Sequence, residues 1–231
     1  MYDGWILETE QLADYYSNHF KTGAKCEIVP ITVEYDRFNI EKTDSIFGKY
    51  IAYCGNMLEE DGVSILIKAF NIIASKHSDI NLVLAGNLAN NPGLKDLVDN
   101  LGISGRVIFT GFINRDDIPS LMVNAQVLAL ASPECIRSTV SMPIKIAEYL
   151  ATGNPVVVTG LGEINRYLID GVNAYLSKPD SEKDFAEKLD SALSNYEESK
   201  RIGSRGKRVA YDNFRSASAV IRIESLYNSL L

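Results

Sequence analysis

Short apolar runs that alternate with helical patterns most constrain what this chain can fold into. The run 50–54 is typical of a buried strand, and apolar residues then recur at helical spacing between positions 63 and 76. The alternation predicts further strands at 81–85, 107–109, 127–131, 155–159 and 174–176, and further helices at 94–101, 116–123, within 141–159, at 163–169 and from 181 onward. These repeated units predict an α/β fold, a Rossmann-like parallel sheet with helices on both faces. Asp184 is placed to complete a capping box with Ser181.

Glycines follow three of the predicted strands. Gly55, Gly86 and Gly111 each stand at or near the carboxyl end of a strand. Ligands of parallel sheets bind beyond these ends, and a glycine lets another group approach the backbone closely. We therefore expect the three glycines to keep the backbone open for a ligand.

The predicted helix within 141–159 carries two charged residues among apolar ones. Lys145 and Glu148 lie three residues apart, which puts both side chains on one face near the start of the helix. The first backbone N–H groups of a helix lack partners within it, and this end attracts anions. The alternative is that the two residues form only an ion pair on the helix surface.

Composition and charge exclude several classes of protein. The 231 residues suffice for one large domain with or without an appendage, and 46% hydrophobic with 23% charged residues indicates a folded protein. A net charge of −7 argues against a general binder of nucleic acid or of an acidic membrane, so an anionic ligand must be held locally. Cys26, Cys54 and Cys135 lack paired spacing, which predicts small buried hydrophobes in a reducing compartment. The sequence shows neither a secretory signal nor a membrane-spanning run, so the expected location is the cytoplasm.

The two ends of the chain do not follow the strand–helix alternation. Positions 2–20 read as a short apolar segment and a polar helix, and 26–31 as an extended piece. At the other end, 214–231 is predicted to be an amphipathic helix. Its apolar stripe consists of Val220, Ile223, Leu226 and Leu230.

The order of the motifs resembles the carboxyl-terminal half of the glycosyl transferases group 1 family, a large retaining group with the GT-B fold. The likeness covers nearly the whole chain, through 28–30 with 37–38, 53–55 with 61–63, 82–86, 107–112, 143–153, 155–157 and 171–176. It implies one half of a two-domain enzyme that moves a sugar from a nucleotide-diphosphate donor to a saccharide or lipid-linked acceptor, with retention of configuration. By this likeness, 1–47 are a remnant of the amino-terminal domain and the linker, 48–213 the nucleotide-sugar-binding domain, and 214–231 a crossover helix. Most of the acceptor-binding domain would then be missing, and with it any catalytic base.

The resemblance also implies roles for single residues. Glu148 matches the glutamate that hydrogen-bonds the ribose hydroxyls of the donor, a task for which a carboxylate offers two acceptor oxygens. The family's diphosphate-binding helix start maps to Pro143, Ile144 and Lys145, with Ser141 as a candidate cap. Lys145 would add a positive charge. Gly55 and Gly86 match glycines of the donor pocket, and Gly111 opens a loop that contacts the base through its backbone.

Several positions depart from the family pattern. Most members carry an arginine within two residues of Gly55 and a lysine just before Gly62, whereas this chain has Asn56, Met57, Glu60 and Asp61 there. Each lost charge-assisted hydrogen bond to the diphosphate would cost about 1.5–3 kcal/mol. Many members also place a sugar-contacting glutamate where this chain has Val140, and Glu134 is out of register. Arg137 is the candidate replacement for the missing arginine, and Asn56 would line the donor pocket.

Alternatives of other classes accompany this interpretation. The interpretation we favour is a retaining glycosyltransferase domain for hexosyl or related sugar transfer that is incomplete without its amino-terminal domain. The alternatives are a donor-binding module without activity and a degenerate structural half that pairs with a partner protein and binds no nucleotide. No Asp-x-Asp pair occurs, so neither a metal nor any cofactor besides the donor is expected. His19 and His77 are predicted to be solvated helix caps, and Gly162 with Glu163 either borders the donor or forms a plain turn. The basic run 200–208 is predicted to be a solvated face, with peripheral contact to the inner face of an anionic membrane as the alternative.

Overall fold

A computed structural model describes residues 3–20 and 23–231. The strands are β1 (Gly4–Leu7), β2 (Lys25–Ile28), β3 (Lys49–Cys54), β4 (Ile80–Ala85), β5 (Val107–Gly111), β6 (Val127–Leu130), β7 (Val156–Thr159) and β8 (Tyr175–Ser177). The α-helices are α1 (Glu10–His19), α2 (Val63–Ile73), α3 (Gly93–Asn100), α4 (Ile118–Asn124), α5 (Ile136–Val140), α6 (Ile144–Thr152), α7 (Ile164–Tyr167), α8 (Glu182–Ser194), α9 (Tyr196–Asn213) and α10 (Ser216–Leu230).

The predicted parallel sheet is confirmed. Six strands lie in the order β5-β4-β3-β6-β7-β8, all parallel and flanked by helices. Every residue of β6 and β7 is buried, which explains why these strands read as continuous apolar runs rather than as alternating patterns.

The strand order reverses between β3 and β6. From β3 the chain proceeds outward through β4 to β5, and β6 returns to the other side of β3 before β7 and β8 follow. Such a reversal leaves a crevice between the loops that follow the two central strands, and ligands of open α/β sheets bind there. The loop that begins at Gly55 and the loop 131–135 are the two that border it.

Three helical predictions differ from the structure, and one short helix was not predicted. The unpredicted helix is α5, within the segment 132–142, and the predicted helix at 163–169 is reduced to α7. The helix that opens at Ser181 ends at Ser194, and α9 follows as a separate helix. The capping box is only half formed: the Ser181 hydroxyl accepts from the Asp184 N–H at 3.2 Å, but the Asp184 carboxylate accepts from the N–H of Lys178 at 2.8 Å.

The amino-terminal segment forms a small structure of its own. β1 and β2 pair in parallel, and α1 and α10 pack against them. Tyr2, where the predicted apolar segment begins, lies outside the described residues. On α10, Leu226 is buried but Val220 and Leu230 are exposed, so the predicted apolar stripe is covered only in part. The assignment of 1–47 to another domain stays a prediction.

Two predictions about burial are wrong in part. Among the cysteines, Cys54 is buried, Cys135 is partly exposed and Cys26 is exposed, so only the first is a buried hydrophobe. His19 is exposed as expected, whereas the ring of His77 is largely buried and its Nε2 lies 2.7 Å from a carboxylate oxygen of Asp190. His77 therefore joins the end of α2 to α8 rather than facing solvent.

The basic run on α9 is matched by neighbouring carboxylates. Lys200 pairs with Glu197 at 2.7 Å, and the guanidinium groups of Arg201 and Arg205 each lie 3.2 Å from Glu198. This arrangement agrees with a solvated face. Within the described part of the chain, no helix combines the length and the apolar character needed to cross a bilayer.

Candidate functional site

Two adjoining clefts open at the strand-order reversal between β3 and β6. The first, here called the β6 cleft, has a volume of about 310 Å³ and lies between the loop 131–135 after β6, the start of α6 and Glu8. The second, here called the Glu148 cleft, has a volume of about 400 Å³ and is lined by the end of β3, the segment 32–38 and Glu148. Ile144 and Lys145 line both clefts, so the start of α6 is their common wall.

Buried polar side chains hold α6 in this position. The fully buried Tyr149 hydroxyl accepts from the N–H of Cys54 at 2.9 Å, which ties the middle of α6 to the last residue of β3. After the helix, the Asn154 amide donates to the carbonyl oxygens of Met122 and Val123 at 2.8 and 2.9 Å. These bonds aim the first turn of α6 at the crevice.

The start of α6 offers two unpartnered backbone donors. Pro143 is the N-cap and has no N–H, so it cannot contribute the donor that the family likeness would assign to it. The N–H groups of Ile144 and Lys145 have no acceptor within residues 3–20 and 23–231, because the first intrahelical bond is made by Ile146. Both groups carry the partial positive charge of the helix terminus.

Lys145 is paired, but with Asp61 rather than with Glu148. Its ammonium lies 2.5 Å from a carboxylate oxygen of Asp61, and within the described residues the proposed surface pair with Glu148 is not formed. The lysine side chain crosses directly over Gly55, where an added Cβ would stand 2.2 Å from the Lys145 Cε. Gly55 is therefore required so that Lys145 can reach the crevice and Asp61.

Carboxylates neutralise both cations of the β6 cleft. Asp61 is only 7% exposed and also accepts from the N–H of Leu58 at 3.3 Å. Arg137, the predicted replacement for the missing arginine, does line the cleft but forms an ion pair with Glu60. The acidic residues Glu60 and Asp61, which depart from the family pattern, thus each form an ion pair with one of the two cations that line the cleft.

Glu148 lies half-buried in the second cleft. Burial raises the pKa of its carboxyl group, while the nearby Arg37, Arg115 and Lys145 oppose that rise. Both arginines are joined to Glu34, at 3.5 Å from Arg37 and 2.6 Å from Arg115. The Glu148 carboxylate therefore faces a wall of two guanidinium groups and the one carboxylate of Glu34, which carries a single positive charge in excess.

Sequence reasoning missed two members of this wall. Arg37 belonged to a recognised motif, and its spacing of three residues from Glu34 was the available signal. Arg115 gave no local signal, because only the fold brings the loop after β5 to the segment 32–38. Its guanidinium pairs with Glu34, and its carbonyl oxygen accepts from the Arg37 guanidinium.

The other predicted residues have different surroundings. Gly86 has φ +151°, and an added Cβ would stand 1.8 Å from the carbonyl oxygen of Gly55, so its small size serves the packing of two strand ends. Gly111 has φ +70° with open space around it, beside the exposed Phe112. Asn56 is exposed, and its carbonyl oxygen accepts from the Asn90 amide at 2.7 Å.

Ser141 does not cap α6. Its hydroxyl donates to the carbonyl oxygen of Arg137 at 3.1 Å and so belongs to the end of α5. The residue that approaches the helix start is Glu8, whose carboxylate accepts from the N–H of Met142 at 3.1 Å. Thr9 supports this contact, because its hydroxyl donates to the carbonyl oxygen of Val140 at 2.7 Å. No local pattern predicts these contacts, since more than a hundred positions separate the partners.

Glu163 lines neither cleft. Its side chain is 1% exposed, and no group within the described residues donates a hydrogen bond to either carboxylate oxygen. The Arg166 Nε lies 3.3 Å away but outside hydrogen-bond geometry. Burial raises the pKa of Glu163, the positive charge of Arg166 opposes that rise, and the nearby Glu10 and Glu8 add to it. Gly162 packs against the carbonyl oxygen of Thr139, so this pair forms a tight turn.

Comparison with known proteins decides the family. The sequence pattern described as glycosyl transferases group 1 matches residues 38–209. The chain belongs to this family. It is similar to the uncharacterized glycosyltransferase MJ1607 of Methanocaldococcus jannaschii, with 31% identity over 171 residues that cover 72% of this chain and 41% of that protein. Four curated relatives are matched over only 41–49% of their own length.

Solved structures share the fold of this group 1 chain. The crystal structure of Anabaena HepE in complex with UDP matches with a TM-score of 0.82 and 18% identity, over 98% of this chain and 64% of that one. The carboxyl-terminal domain of the group 1 protein LpcC from Francisella tularensis matches with a TM-score of 0.69 and 21% identity, over 80% of this chain and 99% of that domain. These likenesses agree with a Rossmann-like GT-B half.

Proposed function

We propose that this chain is the donor-binding half of a retaining glycosyltransferase. The observation that carries the proposal is the placement of Glu148 and of the free N–H groups of Ile144 and Lys145 in adjoining clefts at the strand-order reversal. In a nucleotide sugar the ribose hydroxyls and the diphosphate are neighbours. The Glu148 cleft would receive the ribose, and the β6 cleft would receive the diphosphate. The UDP complex of the structurally similar HepE supports a nucleotide as the ligand class.

Each group has a distinct task in this proposal. The Glu148 carboxylate accepts hydrogen bonds from two ribose hydroxyls, for which its ionised form is best suited. The N–H groups of Ile144 and Lys145 donate to the diphosphate and stabilise the charge that grows there as the sugar departs. Residues 48–213 form the donor-binding domain, and an amino-terminal domain supplies the acceptor site and any catalytic base.

Isothermal titration calorimetry of the purified chain with UDP, GDP and ADP tests the proposal. We expect one of these nucleotides to bind, and Glu148→Ala to weaken it about tenfold or more, since a hydrogen bond to a charged group contributes about 1.5–3 kcal/mol. The 2′-deoxy nucleotide should lose much less on the same substitution. Glu187→Ala, at an exposed position on α8, is the matched control and should bind like the wild type. Absence of heat with all three nucleotides would refute donor binding.

A non-catalytic role is the second candidate. The pairing of Lys145 with Asp61 and of Arg137 with Glu60 leaves the β6 cleft without an uncommitted cation among the described residues that line it. This arrangement favours a chain that either binds the donor without turnover or has become a structural partner. Nucleotide binding without transfer, when the chain is combined with its amino-terminal domain, would support the binding module; no binding would support the structural role.

A further inference from the structure

Glu8 places a fixed negative charge in the β6 cleft, at the start of α6. The preceding strand β1 and the following helix α1 hold the segment, and Thr9 caps α1 by accepting from the N–H of Leu12 at 3.2 Å. The Glu8 carboxylate bonds the N–H of Met142, two residues before the first free donor of α6. Its charge therefore lies beside the position that the diphosphate occupies in the proposed function.

This charge is not balanced within the cleft. The lining contains the carboxylates of Glu8, Glu60 and Asp61 but only the cations Arg137 and Lys145. Asp61 and Glu60 are each engaged with one of these cations, whereas Glu8 has no cationic partner within residues 3–20 and 23–231. The described lining thus carries one negative charge in excess, and that charge is the one on Glu8.

We infer that Glu8 is a specificity-determining residue that disfavours the free nucleoside diphosphate relative to the nucleotide sugar, which speeds release of the product. The inference rests on the proposed function and concerns the same site. In the transfer, the bond between the anomeric carbon and the β-phosphate oxygen breaks and the acceptor oxygen bonds that carbon. The nucleoside diphosphate keeps the electron pair, and the acceptor proton is released.

The physical basis is a difference in charge between donor and product. The terminal phosphate of a nucleoside diphosphate has a second ionisation with a pKa of about 6, so at pH 8 it carries an additional negative charge. In the nucleotide sugar that oxygen is esterified and this charge is absent. A fixed carboxylate that lines the same partly desolvated cleft repels the additional charge, which should weaken product binding by about threefold to tenfold.

The test compares Glu8→Gln with the wild type in calorimetric titrations of the full chain at pH 8 and low salt. Glutamine keeps an oxygen that can accept from the N–H of Met142, so the substitution removes the charge and retains the contact. The probes are uridine, UDP-glucose and UDP, or the matching set for whichever base binds. Glu10→Gln is the control, because Glu10 lies in the same segment but pairs with Arg166 and does not line the β6 cleft.

We expect Glu8→Gln to tighten UDP about threefold to tenfold, to change UDP-glucose less and to leave uridine unchanged. An equal gain in affinity for UDP and UDP-glucose would overturn the inference, and so would the same change in Glu10→Gln. In either case nucleotide binding would still support the proposed function. If the variant fails to fold, wild-type titrations with added salt decide. Added salt should raise the affinity for UDP relative to that for UDP-glucose, and a ratio of the two affinities that does not change would refute the role of Glu8. Failure of every nucleotide to bind would overturn the proposed function and the inference together.

Discussion

Replacement of Asp61 by asparagine would release Lys145 from its present partner. The ammonium of Lys145 lies 2.5 Å from one carboxylate oxygen of Asp61, and the other oxygen accepts from the N–H of Leu58 at 3.3 Å. Asparagine has one acceptor oxygen, which can serve Leu58, and its amide repels the ammonium. Because Lys145 also lines the β6 cleft, its side chain can then turn toward a bound diphosphate.

Two opposite effects are expected from Asp61→Asn. The side chains of Lys145 and Asp61 are only 19% and 9% exposed, and breaking a buried ion pair costs about 3–5 kcal/mol when the remaining charge stays buried. Lys145 can reach water through the cleft, so we expect the smaller loss of about 1–3 kcal/mol in the free energy of unfolding. A charge-assisted bond from the released ammonium to phosphate contributes about 1.5–3 kcal/mol, which corresponds to UDP binding about tenfold to a hundredfold tighter.

Calorimetry with UDP and urea unfolding measure the two effects separately. The double variant Asp61→Asn with Lys145→Met should lose the gain in affinity, because the gain depends on the ammonium. Asp79→Asn removes the carboxylate of an exposed ion pair with Lys49 outside both clefts, and it should leave UDP affinity unchanged. A folded Asp61→Asn variant that binds UDP no better than the wild type would refute the idea that Asp61 competes with phosphate for Lys145.

Two further substitutions test packing and buried charge. Gly86→Ala should lower the free energy of unfolding, as measured in urea, by about 3 kcal/mol or more, because the added Cβ would stand 1.8 Å from the carbonyl oxygen of Gly55. The control is Gly102→Ala, which should lower it by only about 1 kcal/mol because Gly102 has φ +69° but open space around it. Glu163 has its pKa raised by burial from an ordinary value of 4.5, so the folded state binds the proton more tightly and wild-type stability should fall as pH rises through the folded pKa. Glu163→Gln should remove that dependence and add about 1 kcal/mol at pH 7, with the gain vanishing below pH 4.5. Urea midpoints that vary equally with pH in both proteins would contradict this account.

The central strands were predictable because their physical signal is local. A strand covered on both faces must be apolar along its whole length, and β6 and β7 show this directly in sequence. The short helix α5 gave no such signal, since five residues between two turns do not complete a helical pattern. The exposed part of the α10 stripe shows a related limit: amphipathic spacing indicates a helix but not how much of its apolar face is covered.

The candidate site was predictable only for residues whose position follows from the pattern of their own helix. Glu148 and Lys145 follow from helical spacing and from the family motif, whereas the partner of Lys145 depends on a side chain that crosses Gly55 to another loop. From sequence alone, Asp61 is a negative charge near the expected diphosphate, where it would oppose binding. The fold shows that it holds the cation that the motif supplies. The role of Glu8 could not be predicted from local sequence, because its contact with Met142 joins segments 134 positions apart.

The pairing of Lys145 with Asp61 changes how a diphosphate would gain affinity here. A free lysine adds a new ion pair on binding, but a paired lysine must exchange one anion for another. The net gain from such an exchange is small, because the abandoned Asp61 carboxylate is left largely buried without its cation. Affinity must then come from groups that have no partner to lose, and the described residues offer the N–H groups of Ile144 and Lys145. In the proposed function, the acidic residues Glu60 and Asp61 before Gly62 would therefore shift phosphate recognition from side-chain charge to the backbone of α6.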